Sequence, residues 1–362
     1  MRKGTNLKNE IWKILIKGII PAIIIFSFII KPPTTITDTL SENKTHKEEN
    51  TESNISSKIS DNESENFNSI YVWSNTVYET PEDIKRLMET VKDDYKELSC
   101  DGKILSYDYS KHNATAEYDG IYLRNTTKSH SVDIGKMLNK KVYASVSQDS
   151  PTVLIYHTHT SESYELLERE YYVISRSSRS SNSEQNVIRV GREIKSTLEE
   201  NGYQVIHDET IYDESVNGAY ERSRSKITEI LKENPSIQIV LDIHRDAIYM
   251  KDETRIKTVA EINGKKAAQI MLTTGCEDGN VTDFPNWEKN LTFALNLQKA
   301  LVEDNPTLMR PLLFTGRKYN MDLMPCALHV EIGTDANTLE EAVYSAQLFS
   351  QSLSKLLREY EI

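Results

Sequence analysis

Cysteine is nearly missing from this chain, with three in 362 residues, Cys100, Cys276 and Cys326. Three scattered thiols supply neither a disulfide framework nor a thiolate zinc site. A surplus of positive charge is missing as well. Lys and Arg number 43 against 55 Asp and Glu, for a net charge of −12. No clustered basic face exists for a phosphate backbone, which argues against nucleic acid as the main partner. Histidine is sparse too, at eight, so the places where it stands carry more information than the count.

The one long apolar run comes first. Residues 11–30 are almost wholly apolar apart from Lys13 and Lys17, and Arg2, Lys3 and Lys8 precede them. At about 1.5 Å per residue such a helix spans the roughly 30 Å hydrocarbon core, so residues 1–30 are expected to be a cytoplasmic N-terminus and a single-pass transmembrane anchor. The flanking positive charge predicts that the rest of the chain faces outward. No small-x-small cleavage site follows, which favours a retained anchor over a removed signal peptide. Residues 31–66 are rich in Ser, Thr, Asn and Glu, and carry four lysines against eight acids. Such a segment buries too little apolar surface to offset its ordering entropy and is expected to be a disordered tether.

Residues 67–150 give weaker signals: a strand at 70–73, a helix over 81–98, and a strand near 120–124. They read as an N-terminal subdomain or an elaboration of the main domain. Pro151 marks the boundary, and from 151 to 362 the pattern alternates cleanly. Val187, Val190, Ile194 and Leu198 line one helical face, which stops at Asn201-Gly202. A strand at 203–206, a helix over 219–231 and a strand at 237–243 continue the alternation. Asn263-Gly264 reads as a hairpin turn between 257–262 and 267–274, which would make one edge antiparallel. Trp287, Leu291, Ala294 and Leu301 mark another helix, and Thr338-x-x-Glu341 opens the last as a capping box. The expected fold is α/β, with a mixed, mostly parallel sheet covered by helices on both faces.

Three apolar runs end in polar groups. Val153-Leu-Ile-Tyr-His157-Thr-His159-Thr-Ser-Glu162 ends in two histidines and a carboxylate, Ile237-Gln-Ile-Val-Leu-Asp-Ile-His244-Arg-Asp246 ends in another histidine, and Ala327-Leu-His-Val-Glu331-Ile-Gly333 ends in a carboxylate. Strand ends meeting at one sheet edge are where open α/β sheets hold their sites. Imidazole and carboxylate suit Zn2+, and a catalytic zinc takes three protein ligands and leaves a position open. If extension continues past the first strand, His157 and His159 point to one side, and one ligates while the other orients it, or both ligate. Glu162 and Glu184 compete as the third ligand, while Glu331 is the candidate general base. His329 shares the face of Glu331 and reads first as a hydrogen-bonded core histidine. Asp246 reads as a group that hydrogen-bonds a ligating imidazole from behind. Arg245 is a carboxylate clamp or a structural ion-pair partner, and His112, His130 and His207 read as hydrogen-bonded surface residues.

In these stretches the chain resembles the stage II sporulation protein P family of peptidoglycan hydrolases. The resemblance rests on His-Thr-His-Thr-Ser-Glu (157–162), Asp-Ile-His-Arg-Asp-Ala (242–247), and Val-Glu-Ile-Gly (330–333) with Asn337-Thr-x-Glu-Glu-Ala, and it runs from about residue 120 to the C-terminus. More distantly the same strand ends are similar to zinc-dependent N-acetylmuramoyl-L-alanine amidases. That resemblance implies zinc ligation by His159, rather than His157, and by His244, with Glu331 as the catalytic glutamate. Glu162 belongs to the sporulation family's own motif and is the implied third ligand, with Glu184 near the place where the amidases carry theirs. Asp246 stands where they carry asparagine. The implied activity is cleavage of the amide joining glycan to stem peptide, with cross-link cleavage as a further activity, during engulfment in sporulation. The implied partners are peptidoglycan, stage II sporulation protein D, a lytic transglycosylase, and the membrane protein M. The rivals are another zinc hydrolase of the cell wall, a peptidase or deacetylase, and a non-catalytic wall-binding scaffold.

Overall fold

The computed structural model describes residues 78–96 and 100–362. The expected anchor, the tether and the strand at 70–73 lie outside the described residues, among which no helix is long and apolar enough to cross a membrane. In chain order the elements are α1 (Glu82–Lys96), β1 (Gly102–Tyr107), β2 (Ala116–Tyr118), β3 (Ile121–Asn125), α2 (Ile134–Leu138), β4 (Pro151–Tyr156) and β5 (Tyr171–Tyr172). They continue with α3 (Val187–Glu200), β6 (Gln204–His207), α4 (Ala219–Glu233), β7 (Ile239–Asp246), β8 (Arg255–Ile262), β9 (Lys265–Ala268) and β10 (Ile270–Gly275). The last are α5 (Trp287–Asp304), β11 (Leu312–Thr315), a 3-10 turn (Met321–Leu323), β12 (Ala327–Thr334) and α6 (Leu339–Arg358).

The apolar runs form the strands of an eight-stranded sheet ordered β2-β3-β11-β10-β12-β7-β4-β6. β6, β4, β7 and β12 run parallel. β10 is antiparallel to β12, and β11 and β3 then run parallel to β10. The sheet is thus two parallel blocks of opposite direction meeting at the β12/β10 seam, with β2 antiparallel to β3 at one edge. The Asn263-Gly264 turn does join an antiparallel pair, but β8 and β9 belong to a second sheet, ordered β5-β1-β8-β9. An antiparallel edge does exist in the main sheet, but it is β2 against β3; the strand that follows the hairpin, β10, inserts beside β12 and puts a second reversal inside the sheet. Residues from Thr80 onward share one compact unit: β1 pairs with β8, and β3 with β11.

β4, β7 and β12 are buried on both faces, as near-continuous apolar strands must be. Leu154, Tyr156 and Val240 pack with Ile227 and Ile230 of α4 on one face. Ile155, Leu241 and Ile243, of opposite parity, are buried on the face that α3 covers. Asn186 caps α3 by accepting from the Ile188 amide, and the chain breaks after Asn201 at Gly202, with φ 96°. Thr338 and Glu341 close a full capping box on α6, where Thr338 Oγ1 accepts from the Glu341 amide at 3.1 Å. That cap satisfies two of the helix's open donors and fixes the turn leaving β12.

Candidate metal centre at the ends of β4, β7 and β12

The register aligns the three motif strands. Tyr156 pairs with Asp242 across β4/β7, and Glu331 with His244 across β12/β7. Side chains two apart on a strand share a face, so Asp242 and His244 project with His329 and Glu331 from the same side of neighbouring strands. The imidazoles of His244 and His329 stack with centroids 4.2 Å apart. His159 stands edge-on to His244 at 5.4 Å. Glu162 Oε2 lies 3.2 Å from His244 Nδ1 and accepts from the Arg245 amide at 3.1 Å. The four residues named from the sequence, His159, Glu162, His244 and Glu331, therefore lie at one edge of the sheet.

His157 takes no part, because extension ends at Tyr156. Thr158 turns inward, its amide donating to Asp242 Oδ1 at 2.8 Å and its hydroxyl to Oδ2 at 2.7 Å. His157 keeps the parity of Ile155 and points to the α3 face, where its Nδ1–H donates to the Ile243 carbonyl at 2.9 Å. Its bare Nε2 must then accept from His207 Nε2, 2.8 Å away. His207 is accordingly no surface residue: its side chain is 2% exposed. Burial first, and then the neighbouring His207, hold His157 down to about 3. Both rings are neutral members of the core.

Hydrogen bonding fixes which ring nitrogens carry lone pairs. His329 Nε2 donates to Glu331 Oε1 at 2.7 Å, which leaves His329 Nδ1 bare. His244 Nδ1 donates to Glu162, which leaves Nε2 bare in the neutral ring. That Nε2 lies 2.8 Å from Asp242 Oδ1 but without hydrogen-bonding alignment, so the contact is close and unsatisfied. His159 Nδ1, His244 Nε2, His329 Nδ1 and Glu331 Oε2 are all buried without a partner. Buried lone pairs left unpaired are costly, and a converging group of them is what a cation relieves. Among the described residues, Asp242, His244 and His329 bring their donor atoms within 4.8 Å of one another.

The electrostatics agree. Burial works against charge on His244, but Asp242 and Glu162 outweigh it and raise the ring well above its ordinary value. Glu162 is held well below the carboxylate range despite its burial, by His244 and then Arg245. Asp242 is likewise brought down to about 2, burial opposing and His244 prevailing. Burial alone dominates His159 and lowers it to about 4. Two carboxylates facing one imidazole favour positive charge at that place, carried by the ring itself or by a cation bound to it, and the nitrogen and oxygen donors are of the kind zinc accepts.

Several neighbouring roles differ from the sequence reading. Asp246 turns from the centre and holds Arg310, Oδ2 to Nη2, at 2.8 Å. Arg245 is buried and spends its guanidinium on the carbonyls of Ser163 and Ser178, so no substrate carboxylate reaches it. Glu184 pairs with Arg192 at 2.5 Å, outside the cluster. Sequence reasoning misses Asp242; it puts His329 first in the hydrogen-bonded core, with a place beside Glu331 in the site as the alternative, and the buried ring bonded to Glu331 meets both. A signal for Asp242 exists: a lone carboxylate inside Ile-Val-Leu-Asp-Ile needs a buried partner, and it sits two residues from His244.

The family model for stage II sporulation protein P matches residues 30–354. Stage II sporulation protein P from Bacillus subtilis (strain 168) is 30% identical over 226 residues, which is 59% of this chain and 53% of that protein. The chain thus aligns with about half of the relative's length. Among solved structures, N-acetylmuramoyl-L-alanine amidase AmiC2 of Nostoc punctiforme aligns at 12% identity and TM-score 0.34, over 59% of this chain and 99% of its own. An N-acetylmuramoyl-L-alanine amidase from Clostridium difficile 630 aligns at 14% identity and TM-score 0.33, over 58% of this chain and 97% of its own. Likeness at this level specifies no chemistry.

Proposed function

The chain belongs to the stage II sporulation protein P family, and from that membership we propose that it is a zinc-dependent peptidoglycan hydrolase. It cuts the amide joining the glycan to the stem peptide, with cross-link cleavage as a further activity, and serves engulfment during sporulation. The proposal includes a membrane anchor at residues 1–30 that leaves the catalytic part outside the cell. It also includes stage II sporulation proteins D and M as partners.

The observation that carries this reading is the group of buried, unpartnered donor atoms at three parallel strand ends, with Glu331 Oε2 among them. His159, Glu162 and His244 would hold the zinc. A second ligand set, Asp242 and His329 with His244, is favoured by the spacing of their donor atoms, and both sets share His244. Zinc bound there supplies Lewis acidity, polarising the amide carbonyl and making water a better nucleophile. The remaining work falls to the chain. His329 donates to Glu331 Oε1 and so orients the carboxylate. Its other oxygen takes a proton from the attacking water and returns it to the departing amine nitrogen, so that one residue serves as base and then as acid. Thr158, by holding both oxygens of Asp242, locks the β4 turn that presents His159.

The test is digestion of purified peptidoglycan by the full chain, with zinc content measured in parallel. Glu331→Gln should keep its zinc and release no stem peptide, whereas the parent frees intact stem peptides from glycan. Full activity in that variant would remove Glu331 from the mechanism. Release of peptide fragments alone would show that a different bond is cut.

A further inference from the structure

Beside the metal-capable cluster lies a cavity of about 230 Å³ that the chemistry above does not use. It begins at Ser163, one residue past Glu162, and is walled by the 176–180 segment and by Tyr95 of α1. Four arginines, Arg169, Arg176, Arg179 and Arg255, line it against two carboxylates, Glu165 and Asp335. That is an excess of positive charge in a chain whose net charge is −12.

Two of the arginines are committed. Arg179 lies 2.8 Å from Asp213 and 3.6 Å from Glu162. Arg255 lies 3.3 Å from Glu165 and 3.3 Å from Asp335. Arg169 and Arg176 are different. Among the described residues they take part in no ion pair, and both guanidinium groups stand over the ring of Tyr95, at 4.7 and 5.1 Å from its centre. Arg169 also donates to Cys100 Sγ. Burial, outweighing the nearby Arg255, Arg176 and Arg169, pushes the Glu165 carboxyl up from its ordinary range.

Resting on the hydrolase reading, we propose that this cavity receives a carboxylate of the substrate's stem peptide, gripped by Arg169 and Arg176 over Tyr95. A guanidinium presents paired N–H donors that match a carboxylate, and stacking on the Tyr95 ring helps hold each fork in place while leaving donors beyond the one Arg169 gives to Cys100. The cavity has room for a carboxylate and the side chain bearing it, since a water occupies roughly 30 Å³ of liquid. Its position fits too, because the cavity begins at Ser163, next to Glu162. Arg245, the arginine that the sequence nominated for this task, is sealed under Ser163 and Ser178.

The experiment is equilibrium calorimetry of the full chain with a synthetic stem peptide bearing free carboxylates and with its carboxamide counterpart. Amidation should weaken binding by about tenfold or more, the scale of a charge-assisted contact. Arg176→Gln and Arg169→Gln should each cost the free acid a similar factor and leave the carboxamide unaffected, and Arg176→Lys should fall between. Affinities within about twofold for the two peptides in the parent would overturn the proposal, as would binding indifferent to amidation but competed by inorganic phosphate. The comparison of the two peptides in the parent decides the matter even if a variant fails to fold. Since no turnover is needed, carboxylate-dependent binding without cleavage would sink the hydrolase reading alone. Cleavage without carboxylate dependence would sink the pocket alone.

Discussion

Replacing Gly191 by alanine sets two opposing effects against each other. Gly191 lies inside α3, where alanine is favoured over glycine by about 1 kcal/mol. Propensity alone therefore promises stabilisation. The new Cβ, however, would stand 2.6 Å from His207 Nε2 and 2.7 Å from His157 Nε2. Neither ring yields cheaply, since His157 is fully buried and bonded to the Ile243 carbonyl. Overpacking a core costs about 1–3 kcal/mol, and separating the two rings strands a buried nitrogen at about 1–3 kcal/mol more. The sum after the propensity gain is a loss of about 1–5 kcal/mol, centred near 3. For a domain of this size about 1 kcal/mol moves the melting temperature by roughly 2–4 °C, so a fall of about 6–12 °C is expected by circular dichroism. In a His207→Ala background, where half of the collision is gone, the same change should cost less. A Gly191→Ala protein that melts at or above the parent would refute the claim that the two histidines are rigidly packed.

The same pair predicts a pH dependence. Burial first, then Arg192 and Lys195, hold His207 down to about 3, against an ordinary value of 6.5. Between those values the unfolded chain binds a proton that the native chain refuses, so stability falls as pH drops from 6.5 towards 3. Melting temperature should decline over that window in the parent, and less steeply in His207→Gln; parallel slopes would remove His207 as a source. The two zinc-ligand sets separate by metal content. His159→Ala should lose bound zinc while Asp242→Asn retains it, and the reverse pattern, measured by atomic emission, would give the ion to Asp242, His244 and His329.

What could be read from residues alone was whatever the strand and helix periods report directly. The apolar runs ending at Tyr156 and Glu331, the Val187 helix with its Asn186 start, and the capping box at Thr338 depend on neighbours within a few positions. The meeting of His159, Glu162, His244 and Glu331 followed from treating those runs as parallel strands with a common edge. The failures share another cause. Parity put His157 with His159, but a tertiary bond from Asp242 to Thr158 ends the strand one residue before the pair. Asp242 and His329 look like core residues, because burial and ligation ask the same thing of a strand position until a neighbour is known. The arginine pocket gathers residues from 95 to 335, and no local pattern announces such a gathering. The second sheet was likewise invisible, since Asn263-Gly264 declares a hairpin but not which sheet receives it.

That second sheet has a bearing on how the molecule can change. β8 and β9 form an excursion between β7 and β10, and part of their contact with the reactive edge runs through the turn that follows Glu331. There Thr334 Oγ1 donates to the Ile256 carbonyl at 2.7 Å and Asn337 Nδ2 to the Thr258 carbonyl at 3.0 Å. The ladder carrying His244 and Glu331 has its own partners on both sides. Grafting, lengthening or trimming the excursion beyond Thr258 would thus leave the ladder's register intact.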